Sequence, residues 1–74
     1  NPSIELNFDL EKNTHVKIDI YNLNGEVVGI LEDSFLLPGS HSYKWEPTGL
    51  ANGIYFINYF MNNNIHTQKI TLLK

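Results

Sequence analysis

Seventy-four residues with eight acids, five lysines and no arginine carry a net charge of −3, which leaves no basic, arginine-rich stripe for nucleic acid. There is no cysteine, so disulfides and thiolate chemistry are excluded, and no apolar run approaches the ~20 residues of a membrane span. A hydrophobic content of 42%, with one Trp, four Tyr and four Phe, suits one packed domain over residues 1–74. Its stability should be modest, because a chain this short buries only ~60% of the surface that it exposes when unfolded.

The chain opens on Asn1-Pro2 rather than Met. That start is expected of a piece of a longer protein, its C-terminal end, which would carry no signal peptide of its own. Residues 4–10 then alternate. Ile4, Leu6, Phe8 and Leu10 share one face and Glu5, Asn7 and Asp9 the other, the pattern of a strand with one side in water. After the polar turn Glu11-Lys12-Asn13, residues 14–21 alternate again. Val16, Ile18 and Ile20 are expected inside, and His15, Lys17, Asp19 and Tyr21 outside.

Asn22-Leu23-Asn24-Gly25 is the strongest hairpin signal, because Asn and Gly tolerate the positive φ of tight turns. Gly25 is expected at positive φ, as is Asn24 if the turn is of type I′. Residues 26–31 return as a strand, and Val27-Val28-Gly29 predicts a bulge or twist. Glu32 to Leu37 reads either as a short edge strand or as a crossover. Pro38-Gly39 marks a turn. Residues 40–46 place His41, Tyr43 and Trp45 on one face, which the phase of the strand turns toward the core. A loop follows over 46–52.

Residues 53–61 are almost wholly apolar or aromatic, as in a strand covered on both faces. Phe56 is expected in the core with Val16, Ile18, Ile20 and Trp45. Tyr55, Ile57 and Tyr59 form the opposite face of that strand and pack under the neighbouring sheet. Asn62-Asn63-Asn64 is a turn. The final strand sets Ile70 and Leu72 on one face and Lys69, Thr71 and Leu73 on the other. No segment has helical periodicity. Strands and turns recur every 8–12 residues, which predicts an all-β antiparallel sandwich, immunoglobulin- or fibronectin-like, of about seven strands.

Little in the chain asks for catalysis. His15, His41 and His66 are far apart and lack the paired spacing of zinc ligands. Glu32-Asp33 is the one adjacent acid pair, and no calcium loop is present. No serine sits in a Gly-x-Ser-x-Gly context, and there is no Gly-rich phosphate loop. No enzyme activity, cofactor or metal is expected. Trp45, Tyr43 and His41 could form a sugar-binding platform, but their inward phase favours packing. Lys69 and Lys74 either guard a sheet edge against other chains or contact a receptor.

Taken in order, these segments resemble the type A C-terminal sorting domain of the type IX secretion system of Bacteroidetes-type bacteria. The motifs are Asn1-Pro2 with its alternating strand, the run Val16 to Val28 around Tyr21-Asn22 and Gly25, and Gly39-x-His41-x-x-x-Trp45. Gly53-x-Tyr55 and the closing Lys69-x-x-x-x-Lys74 complete them. Two departures are Glu26, where the family often has Arg, and the shorter Glu46-Pro47-Thr48-Gly49 loop.

The resemblance implies function by recognition. An N-terminally fused cargo crosses the periplasm, passes the outer-membrane translocon and meets a shuttle protein and a sortase. It ends at the cell surface or in the medium. The chemistry belongs to the sortase, which commonly cuts upstream of such domains. The residues implied in recognition are Gly53, Tyr55, Lys69, Leu72, Leu73 and Lys74. The rival reading is a spacer or carbohydrate-binding module of an extracellular protein, because a sandwich alone does not specify function.

Overall fold

Alternation of apolar and polar residues at period two drives most of this chain into strands, because each such segment can bury one face only by pairing and stacking. In the computed structural model, residues 3–73 are described. They form β1 (Ile4–Leu10), β2 (Thr14–Tyr21), β3 (Val27–Leu36), β4 (Gly39–Trp45), β5 (Gly53–Met61) and β6 (Asn64–Leu72), with no helix among the described residues. All pairings are antiparallel. β1 and β4 make a two-stranded sheet, and the other four strands make a sheet in the order β3-β2-β5-β6.

The strand count is six, not seven. The expected break near Glu32 does not occur, because β3 stays paired with β2 through Leu36. Two register shifts make this possible, one between Ile18 and Asp19 and one between Ile20 and Tyr21. They lie beside Gly29, where the sequence predicts a bulge. The crossover to the other sheet then takes place in the two residues Leu37 and Pro38, between β3 and β4.

The core lies between the sheets. Leu6, Leu10 and Trp45 from the small sheet meet Val16, Ile18, Ile20, Tyr55, Ile57, Ile70 and Leu72 from the large one. Trp45 is 8% exposed and meets Tyr55 edge-on at 6.4 Å. Phe56 is a correction. It is only partly buried and lies on the outer face of the large sheet, opposite Tyr21 and Lys69. In a strand of period two, the burial of Tyr55 and Ile57 forces Phe56 outward. A wholly apolar strand offers no alternation from which to read its phase.

Asp19 is a second correction. Its position alternates outward as predicted, yet it is only 1% exposed.

The turns follow local chemistry. The Asn22 backbone N–H donates to Glu26 O at 3.0 Å and the Gly25 N–H to Asn22 O at 3.1 Å. The Asn22 side-chain oxygen takes the Asn24 and Glu26 amides at 2.9 and 3.0 Å. Gly25 has φ 80°, whereas Asn24 is not at positive φ. This turn is therefore not of type I′ but a three-residue loop that ends in a left-handed glycine. The two-residue type I′ geometry occurs instead at Asn62 and Asn63, with φ 53° and 63°.

Candidate functional site

Of the six residues singled out in the sequence, the five that are described lie at one end of the large sheet, where β5 begins and β6 ends. Gly53 opens β5 opposite Leu72, Tyr55 lies opposite Ile70, and Phe56 opposite Lys69. The Gly53-Tyr55 motif has a local structural explanation. Gly53 has φ 151°, which only glycine adopts without strain. That kink turns the chain from the loop into β5. The Tyr55 side chain is buried, and its hydroxyl donates to Ala51 O at 2.7 Å. The phenol thus ties the loop to the strand that follows it, in the manner of the tyrosine corner of sandwich folds.

Leu72 is 1% exposed and anchors the end of β6 in the core, while Leu73 is 73% exposed just beyond it. Lys69 projects from the solvent side of β6. Lys74 lies outside the described residues. Of the described members of the set, Lys69 and Leu73 are exposed, whereas Tyr55 and Leu72 are buried in the core. β6 is also an edge of its sheet, paired on one side only with β5. Its free side offers backbone groups for strand addition, and its length of nine residues is ample for that.

The titratable groups serve structure. His15 Nε2 lies 3.0 Å from Asp33 Oδ1, and its ring contacts Phe35 at 5.2 Å. His41 Nε2 lies 2.8 Å from Leu37 O, and its ring stacks on Phe8 at 5.7 Å. His66 is opposite Tyr59 on β5. Among the described residues no three His, Cys, Asp or Glu side chains converge on a metal position.

Tyr43 and Glu32 link the two sheets. The phenol donates to Glu32 Oε1 at 2.5 Å, and the Ser34 hydroxyl donates to Oε2 at 2.9 Å. These donors, Tyr43 first, hold the Glu32 carboxyl below its ordinary value. Burial, followed by the hydrogen bond and charge of Glu32, pushes the Tyr43 phenol up to about 12. Tyr43 is thus spent within the fold and is not free to form a sugar platform with Trp45.

The described residues thus form a small all-β sandwich with a free edge strand and a fixed loop-to-strand corner. The family model for the secretion system C-terminal sorting domain matches residues 1–73. The chain belongs to that family and is a C-terminal sorting signal of the type IX secretion system. No curated protein and no solved structure matches it. Family membership implies fusion to a cargo, recognition by the secretion machinery, and export to the cell surface or the medium. The family is not known as catalytic, and the spacer or carbohydrate-binding reading is not favoured.

Proposed function

We propose that residues 1–74 act as one unit that hands an N-terminally fused cargo from the periplasm to the outer-membrane translocon, and then to a shuttle protein and sortase. In this reading the contact is made by the end of β6, with Lys69, Leu73 and Lys74 meeting the receptor. Gly53, Tyr55 and Leu72 give that strand its position. The observation that carries the proposal is the division of the terminal residues. Leu72 is locked in the core, Lys69 faces solvent on the edge strand, and Leu73 is exposed just beyond its end. A strand held in this way presents backbone and alternate side chains with little ordering cost left to meet on binding.

The test is export of a periplasmic reporter fused to residues 1–74 in a host with a type IX system, compared with Lys69→Ala and Lys74→Ala combined. Surface charge changes usually alter stability by no more than about 0.5 kcal/mol, so the fold should persist. The expected outcome is loss of export in the double variant with an unchanged melting temperature. Equal export of both fusions would remove the lysines from recognition and return them to guarding the sheet edge.

A further inference from the structure

The outer face of the four-stranded sheet mixes exposed apolar side chains with polar ones: Lys17 lies opposite Asp33, and the Thr67 hydroxyl donates to Asn58 at 2.8 Å. Across the ladders it sets Ile30 beside Asp19, which lies in turn beside Asn58, and Phe35 beside His15. Phe56 lies beside Tyr21, and Phe60 beside Ile65. Ile30, Phe35 and Ile65 are 61%, 77% and 63% exposed. The opposite outer face, on the two-stranded sheet, is polar instead. There Ser40 donates to Asp9 and Ser42 to Asn7 across the ladder, at 2.6 and 2.7 Å.

At the centre of this face lies the buried Asp19. The Tyr21 hydroxyl donates to its Oδ2 at 3.1 Å, and the Lys17 ammonium is 3.9 Å from the same oxygen. Oδ1 is buried and has no hydrogen-bond partner. A buried carboxylate oxygen without a donor destabilises the chain on its own. Departures of this kind from good packing concentrate at functional sites.

We infer that this face is the seat of a second contact with the secretion machinery. The partner is a protein surface that sets apolar side chains around one arginine or lysine whose head reaches Asp19 Oδ1. The inference rests on the sorting reading above. Charge complementarity carries it. The unpartnered oxygen calls for a cation or another strong donor, and a charged pair enclosed by apolar contacts is the usual centre of a specific interface.

A second copy fits less well. Two-fold pairing apposes the same patch to itself, which brings two Asp19 carboxylates toward a shared axis. Asp19 is 1% exposed, so access to Oδ1 requires side chains around it to rotate, which is common when interfaces form.

The test pairs two readouts on Asp19→Asn and Ile30→Glu: the melting temperature of the chain, and export of the reporter fusion in a type IX host. The inference expects Asp19→Asn to melt at or above the wild type while export falls at least about tenfold, and Ile30→Glu, which sets a second acid opposite Asp19, to stay folded with the same loss of export. A merely structural Asp19 gives the opposite result, a lowered melting temperature with export of folded Ile30→Glu intact, and overturns the inference. Loss of export with Ile30→Glu alone, Asp19→Asn exporting normally, overturns the cationic partner. A dimer of the chain in light scattering that Ile30→Glu dissolves assigns the face to a second copy and also overturns it. If the wild-type fusion itself is not exported, the sorting reading fails and this inference falls with it. If the wild type is exported and both variants match it, only this inference falls.

Discussion

Tyr55 shows how much one side chain can fix in a small sandwich. Its ring fills the core beside Trp45, and its hydroxyl ties the preceding loop at Ala51. Tyr55→Phe keeps the ring and loses the tie, so the expected cost is about 1 kcal/mol. In a domain of this size that lowers the melting temperature by roughly 4–8 °C, which a thermal melt followed by circular dichroism checks. Gly25 makes the same point through the backbone. At φ 80°, a β-branched side chain is strained, so Gly25→Val should melt well below the wild type. An unchanged midpoint would contradict the turn described here. The glycine was legible in the sequence, because Asn-x-Asn-Gly between alternating strands asks for a positive φ. The type of turn was not, because the Asn22 side chain that takes two backbone amides decides it.

At the scale of elements, strands with clean alternation were read in the right phase and the others were not. β1 and β2 show which side is buried, since a one-residue slip would place a charge in the core. β5 has no such marker, so its sequence is compatible with Phe56 inward, although Phe56 lies outward. The length of β3 was hidden for a different reason. The two register shifts that carry it past Gly29 are a property of the pair with β2 and not of either strand alone. Of the candidate site, the position of the terminal strand and the Gly-x-Tyr motif were legible. The division between buried Tyr55 and Leu72 and exposed Lys69 and Leu73 emerged from the register of β5 with β6. The buried Asp19 had no signal in the sequence, since its place in the alternation is that of a solvated acid.

The bond between Tyr43 and Glu32 joins β4 to β3 and yields a prediction for pH. Glu32 is held below its ordinary value of 4.5 in the fold, so its contribution is complete above that value. It is lost as pH falls through the lower, folded value. Tyr43→Phe removes the largest cause of this shift. The variant should therefore be less stable at neutral pH and lose less of its melting temperature between pH 6 and pH 3 than the wild type. On the alkaline side the phenol is raised from 10.0 to about 12. Its contribution is complete below 10 and fades toward 12, a fade that Tyr43→Phe also abolishes. Parallel acid and alkaline melts in the two proteins would contradict the linkage.

The whole molecule combines a stiff core with two sheets of unequal size, and its chemistry is that of a surface. The core residues Val16, Ile18, Ile20 and Ile57 are fully enclosed. Losing a large core side chain costs about 2–5 kcal/mol, a sizeable fraction of the total stability of a small domain. Trp45→Ala is accordingly expected to abolish the cooperative melt. What remains accessible among the described residues is an edge strand, a polar outer face and a mixed outer face that carries the exposed Ile30, Phe35 and Ile65.

The central claim is that this domain addresses its cargo to the type IX machinery. The most direct measurement is fractionation of a reporter fused to residues 1–74 in a type IX host, alongside the same host lacking its outer-membrane translocon. The account predicts reporter at the surface or in the medium of the first host and folded reporter retained in the periplasm of the second. Folded reporter retained in both hosts, or exported equally from both, would contradict it.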